Sequence, residues 1–234
     1  MESLYAGSDG TLWVGTFGGG LNRFDPETET FSHFTHETGN PTSLSQDTVT
    51  VILEDSQGIL WVGTHGGLNR FDPDTETFTR FLHDPDDSTS LSNNQVRAIY
   101  EDSEGIIWVG TGSPAPSETP VGEGGLNRFN FESQSFTRYL HDPDDSTSLL
   151  NNKIMSMYED SRGTFWVGTS GDGLHSMDRQ TGRFTRHRFD PNNPAKLSAP
   201  IPLDNVDLLE DCIGFDCGGV TFIHEDHQLS LIHI

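Results

Sequence analysis

An all-β chain of repeated four-stranded antiparallel meanders is the fold class this sequence predicts, and three observations predict it. Tryptophan recurs in one string, W-V-G-T, at Trp13, Trp61, Trp108 and Trp166, at intervals of 48, 47 and 58 residues. Around each Trp stand the same parts: a turn ending in Gly, apolar residues, the WVGT string, a Gly-rich gap, an L-x-x-x stretch, a polar turn and an F-x-x-x run. No segment carries a convincing 3.6-residue apolar period, whereas periods of a few tens of residues mark repeat architectures.

The first copy predicts a short first strand at 4–6, then strands at 12–14, 21–24 and 31–34. The second copy shows the logic most fully. Residues 48–53, T-V-T-V-I-L, are rich in β-branched side chains. E-D-S-Q-G turns the chain, and 59–62 returns antiparallel with Trp61 at its centre. The Gly-rich stretch 63–67 turns it again, 68–71 is a third strand, 72–76 a third turn, and 77–82 a fourth strand. The third copy places strands at 96–100, 106–109, 126–129 and 136–140, with an insertion between Gly112 and Glu123. The fourth places them at 154–158, 164–167, 174–177 and 184–188.

A single such sheet cannot bury both faces, so it must stack on its copies. Radial stacking of four-stranded sheets makes β-propeller blades, the first strand of each lining the centre. The four Trp residues then fill the space between blades. The glycines serve turn geometry rather than phosphate binding. The repeats occupy 1–190, at about 1–36, 47–84, 95–142 and 153–190; 191–228 is a Pro-rich connector leading to the start of a further repeat, in which Val220 aligns with Val49. The expectation is an incomplete propeller of about four blades. The ending L-S-L-I-H-I at 229–234 resembles translated adapter sequence and is read as non-native.

With 36 acidic against 13 basic residues the formal charge is −23. Such a surface repels nucleic acid and anionic membrane, which excludes both as partners. No run of about 18 apolar residues is present to cross a bilayer. Cys212 and Cys217 are equally consistent with a small disulfide and with free thiols.

E-D-S-Q-G-I-L-W-V-G-T-H-G-G-L-N-R-F-D-P and E-D-S-E-G-I-I-W-V-G-T resemble the two-component regulator propeller repeat, and the spacer H-D-P-D-D-S-T-S-L-S-N-N-Q-V is similar to the one between such repeats. The resemblance implies a place in the extracytoplasmic sensor region of a bacterial hybrid histidine kinase. It also implies a periplasmic location and a membrane-anchored, dimeric parent whose kinase and receiver domains lie outside these residues. Sensing, not catalysis, is then the role of this segment; a propeller enzyme such as a lyase and a protein-binding scaffold are the alternatives.

The loops after second strands differ in length and chemistry, while those after first and third strands are short and uniform. Phe17, His65, Ser113 and Ser170 are therefore the candidate ligand residues on one rim, suited to a small polar molecule or an oligosaccharide. The insertion, stiffened by Pro114, Pro116 and Pro120, is expected to cap that side. No catalytic set, cofactor site or metal site is expected. H-E-D-H at 224–227 lacks zinc-protease spacing, and D-P-D-D-S-T-S, from Asp84 and again from Asp142, has Thr where a calcium loop needs Gly. His33, His83, His141 and His187 fall on or beside fourth strands, toward the outer side.

Overall fold

The computed structural model describes residues 2–112, 123–170, 173–187 and two short strands at 223–225 and 231–233. Four four-stranded antiparallel sheets, each with its strands in chain order, account for most of them, and none of the described residues is helical. The first sheet holds β1 (Ser3–Ala6), β2 (Leu12–Gly15), β3 (Leu21–Asp25) and β4 (Thr30–Phe34). The second holds β5 (Val49–Glu54), β6 (Leu60–Thr64), β7 (Gly67–Asp72) and β8 (Thr77–Phe81). The third holds β9 (Val96–Glu101), β10 (Ile107–Thr111), β11 (Gly125–Asn130) and β12 (Ser135–Tyr139), and the fourth β13 (Ile154–Glu159), β14 (Phe165–Thr169), β15 (Gly173–Asp178) and β16 (Arg183–His187). These are propeller blades of the predicted kind.

Two details differ from expectation. The gap after the second strand is shorter than the five residues predicted, because Thr64 pairs with Gly67 and only His65 and Gly66 turn. Gly63 belongs to the strand and must lack a side chain, since a Cβ there would lie 2.6 Å from Val51 and from Val96 on the neighbouring sheet. The turn between first and second strands is built by its Asp. Asp55 Oδ1 accepts the N–H groups of Gln57 and Ile59, its Oδ2 accepts Trp61 Nε1–H at 2.9 Å, and Gly58, at φ +79°, closes the turn. Asp102 with Trp108 (2.8 Å) and Asp160 with Trp166 (3.0 Å) repeat the device. In the first sheet the in-phase residue is Gly7, and Trp13 has no such carboxylate.

The chain divides into two compact units, residues 1–109 with 127–138, and 110–126 with 139–234. Within the first unit the sheets stack face to face, first strand beside first strand, from β1 to β5 to β9. Trp13 and Trp61 meet the third-strand Phe of the following sheet edge-on, Trp13 with Phe71 at 5.3 Å and Trp61 with Phe129 at 5.1 Å. Trp61 and Trp108 are fully buried and Trp13 nearly so. Trp13, at 7%, is slightly more exposed than Trp61 and Trp108, at 0%, and Trp166 is half-buried, lying beside His187 of its own sheet. Beyond the fourth sheet the described residues place the short strand 223–225 beside β13. The opposite side of the first sheet is open, since no sheet precedes it among the described residues of its unit, with Phe31 49% exposed where its counterpart Phe78 is 4% exposed.

The spacers between repeats are held, not loose. Arg138 on β12 donates to the carbonyls of Asp87, Ser90 and Leu91 and to Ser90 Oγ, while Phe136 N–H donates to Thr89 O at 2.7 Å. Arg80 grips 40–44 in the same way, its guanidinium pushed down by burial, and in the second unit Arg186 grips 145–149. Leu44, Leu91 and Leu149 of these spacers are fully buried. In that unit His175 fills the place of Asn69 and Asn127: its Nδ1–H donates to Val167 O and its Nε2 accepts Leu150 N–H, the donor and acceptor pattern of the amide it replaces. The strands β17 (Ile223–Glu225) and β18 (Leu231–His233) pair antiparallel. The connector with both cysteines lies outside the described residues.

Candidate functional site

The site begins one rung beyond the hairpin of first and second strands. In the second sheet the last ladder pair is Val49 with Thr64; the next rung is made by His65 N–H donating to Thr48 O at 3.1 Å. From the other side Phe17 bridges Thr48, and Gly18 and Gly20 donate to Asp47 O at 3.1 and 2.9 Å. Thr48 N–H is taken by Gln46 Oε1. The segment entering β5 is thus pinned between two loops, so the chain leaving a fourth strand and the loop after a second strand share a side.

The side chains above this backbone form a corner. Phe17 is 72% exposed, and its ring stands perpendicular to the half-buried His65 imidazole with centroids 6.5 Å apart. An exposed aromatic face beside an imidazole, both set on paired backbone, can stack on an apolar ring face and hydrogen-bond a hydroxyl.

The structure therefore brings Phe17 and His65 together in the first unit. Ser170 holds the same ladder position in the second unit, its N–H donating to Lys153 O at 3.0 Å, and is only 6% exposed. Ser113 lies outside the described residues, and in register the residue in phase with Phe17, His65 and Ser170 is Gly112, the one after W-V-G-T. Gly112 has φ +102° and lies so close to its neighbours that a Cβ would sit 3.0 Å from Glu123 O. Residues opposite the loops, Thr48 and Lys153, escape a reading based on loop variation. Their signal is that the position before each first strand reads Thr48, Gln95 and Lys153 inside an otherwise repeating frame.

Other candidates resolve structurally. His83 and His141 donate through Nδ1–H to Leu91 O and Leu149 O, His33 to Asn22 Oδ1, and His187 Nε2 pairs with Ser176 Oγ. The D-P-D-D loops bond to themselves: the side chain and N–H of Thr89 hold the Asp87 carboxyl below the usual range, and Thr147 does so for Asp145. Among the described residues no group of three or more His, Cys, Asp or Glu is placed to hold a metal ion. H-E-D-H runs through β17, whose side chains lie outside the description.

Three segments, 43–66, 90–113 and 148–171, match the two component regulator propeller family, each match beginning at the Ser that a fourth-strand Arg grips. These are two component regulator propeller repeats. No curated protein matches the chain in sequence. Among solved structures, these propeller repeats resemble the extracellular domain of a candidate hybrid two component system of B. thetaiotaomicron, with a TM-score of 0.65 at 20% identity over 99% of this chain and 28% of that one. PorZ, a surface component of the type-IX secretion system of Porphyromonas gingivalis, gives 0.60 at 17% identity over 98% and 30%. A virginiamycin B lyase of Staphylococcus aureus gives 0.59 at 12% over 99% and 61%. The chain thus spans under a third of the first two proteins, and at these identities the likeness is one of fold.

Proposed function

We propose that these propeller repeats are a ligand-sensing segment of the extracytoplasmic part of a two component sensor, non-catalytic in themselves, and that recognition lies at the ladder ends. The observation that carries the reading is the divergence of one position, Phe17, His65, Gly112 and Ser170, while the WVGT strand before it repeats in all four copies and the Asp–Trp turn and Arg-held spacer repeat in the last three. A rigid repeat scaffold with diverging loop residues is how binding is placed on such folds. The family of the repeats, and a fold shared with the extracellular domain of a candidate hybrid two component system, support the extracytoplasmic setting. The perpendicular Phe17–His65 corner suits a ring bearing hydroxyls, and an oligosaccharide is the ligand class we favour.

The test is calorimetric titration of the chain with a panel of neutral oligosaccharides. A binder should lose about tenfold or more affinity in Phe17→Ala and in His65→Ala, with the melting temperature nearly unchanged, while His33→Ala binds normally. Equal affinity in all three variants would place recognition elsewhere, and turnover of the ligand would make the chain an enzyme.

A further inference from the structure

In the second unit the same ladder end carries a cation. Lys153 and Ser170 stand opposite one another one rung past the Ile154–Thr169 pair, joined by Ser170 N–H to Lys153 O at 3.0 Å. Directly opposed residues of an antiparallel pair project to the same face. Asn151 staples the rung, its Oδ1 accepting Lys153 N–H at 2.8 Å and its Nδ2 donating to Ser170 O at 3.0 Å. The main chain is thereby satisfied, and only the side chains are left to act.

Both side chains belong to residues more than nine-tenths buried, Lys153 at 8% and Ser170 at 6% exposure. Among the described residues neither the ammonium nor the hydroxyl has a hydrogen-bond partner, and Lys153 has no ion pair. Neither atom is sealed off, since neither is among the unpartnered polar atoms fully enclosed by protein. A lysine in a mostly buried position with no ion pair among the described residues holds an ammonium whose charge is unmatched there. It carries three donors and no acceptor, so anionic oxygens suit it best. The equivalent residues Thr48 and Gln95 are neutral, and Lys196 is the chain's other lysine.

We infer that Lys153 and Ser170 form a subsite for an anionic group, a carboxylate or sulfate, on a polar ligand such as an acidic saccharide. Lys153 supplies the charge and Ser170 a hydroxyl donor to the same oxygens. The inference rests on the reading that ladder ends carry recognition, and it adds the ligand class. It explains why a cation is kept at a position where the scaffold needs none, in a chain of net charge −23.

The experiment is calorimetric titration of the chain with glucuronate, with inorganic sulfate and with glucose. Saturable binding of glucuronate or sulfate but not glucose is expected. It should be lost in Lys153→Gln, retained in Lys153→Arg and Lys196→Gln, and weakened about tenfold in Ser170→Ala. Without ligand, Lys153→Gln should melt at or above the wild-type temperature, because the buried charge is gone. Absence of anion binding, equal binding by Lys153→Gln, or a strongly lowered melting temperature in that variant overturns the subsite. Neutral-sugar binding that depends on His65, with no anion effect at Lys153, would sink this inference and leave the proposed function standing; anion binding that needs Lys153 but is indifferent to His65 would uphold the subsite and overturn only the assignment of recognition to Phe17 and His65.

Discussion

Replacing Asp102 by Ala tests the turn on which each full repeat is built. Asp102 is 5% exposed and accepts three hydrogen bonds: Glu104 N–H and Ile106 N–H at 3.0 Å each, and Trp108 Nε1–H at 2.8 Å. The first two donors sit at a partly exposed turn and recover some of their loss from water. Trp108 is fully buried, so its indole N–H would lose this partner where water cannot replace it. A buried donor left unpaired costs about 1–3 kcal/mol, and the two turn bonds add about 1 kcal/mol together after rehydration, so the expected loss is about 3 kcal/mol. Asp102→Asn should cost about 2 kcal/mol, because the amide keeps one acceptor but must turn its NH2 toward a donor. Glu104→Ala, on the solvent side of the same turn, should stay within about 0.5 kcal/mol. Urea unfolding followed by circular dichroism measures all three. A loss below about 1 kcal/mol for Asp102→Ala would refute the reasoning, since the carboxylate would then be ornamental. The first sheet supplies an internal control: with Gly7 in place of the Asp, the Trp13 indole proton should exchange with solvent before those of Trp61 and Trp108 in a ¹⁵N spectrum.

Arg138→Ala removes four bonds to the 87–91 spacer and should cost about 2–3 kcal/mol; limited proteolysis should then cut within that spacer, and Arg138→Lys should recover little, because an ammonium cannot reproduce the planar fork. The Asp160 carboxyl is raised by burial but lowered more by Trp166 Nε1–H and by the Thr164 and Arg162 N–H groups, so its folded pKa lies below the usual 3.8. Its stabilisation is complete above that value and is lost as pH falls through the lowered one, so melting temperature followed from about pH 5 to pH 2 should fall less steeply in Asp160→Asn than in wild type. Gly112→Ala should destabilise by about 2–3 kcal/mol in thermal melts, since φ is +102° and the added carbon would lie 3.2 Å from Lys153 Cα; Gly105→Ala, at φ +76° with its nearest atom 3.7 Å away, should cost about 1 kcal/mol. Equal losses for the two glycines would remove the packing argument at Gly112.

Strands, turns and the blade repeat were legible in the sequence because they are local: β-branched runs, Asp and Gly at fixed offsets and a Trp in constant phase act within a few residues of one another. Phe17 and His65 were legible as a varying position in a constant frame. What tertiary structure alone decided were pairings across long stretches of chain. The spacer D-P-D-D-S-T-S-L reads as a solvated acidic loop, yet Arg138 holds its Ser90, 48 residues away, and nothing local in either stretch names the partner. The direction in which the sheets of the first unit stack, and so the burial of Phe78 where Phe31 is exposed, is likewise absent from any single repeat, since each blade carries the same pattern and only its neighbours distinguish its two faces. Lys153 shows the same limit at the site. In sequence it is a polar residue before a strand; its place opposite Ser170 and its burial exist only once the ladder has formed around it, because burial and pairing are properties of neighbours brought together by folding.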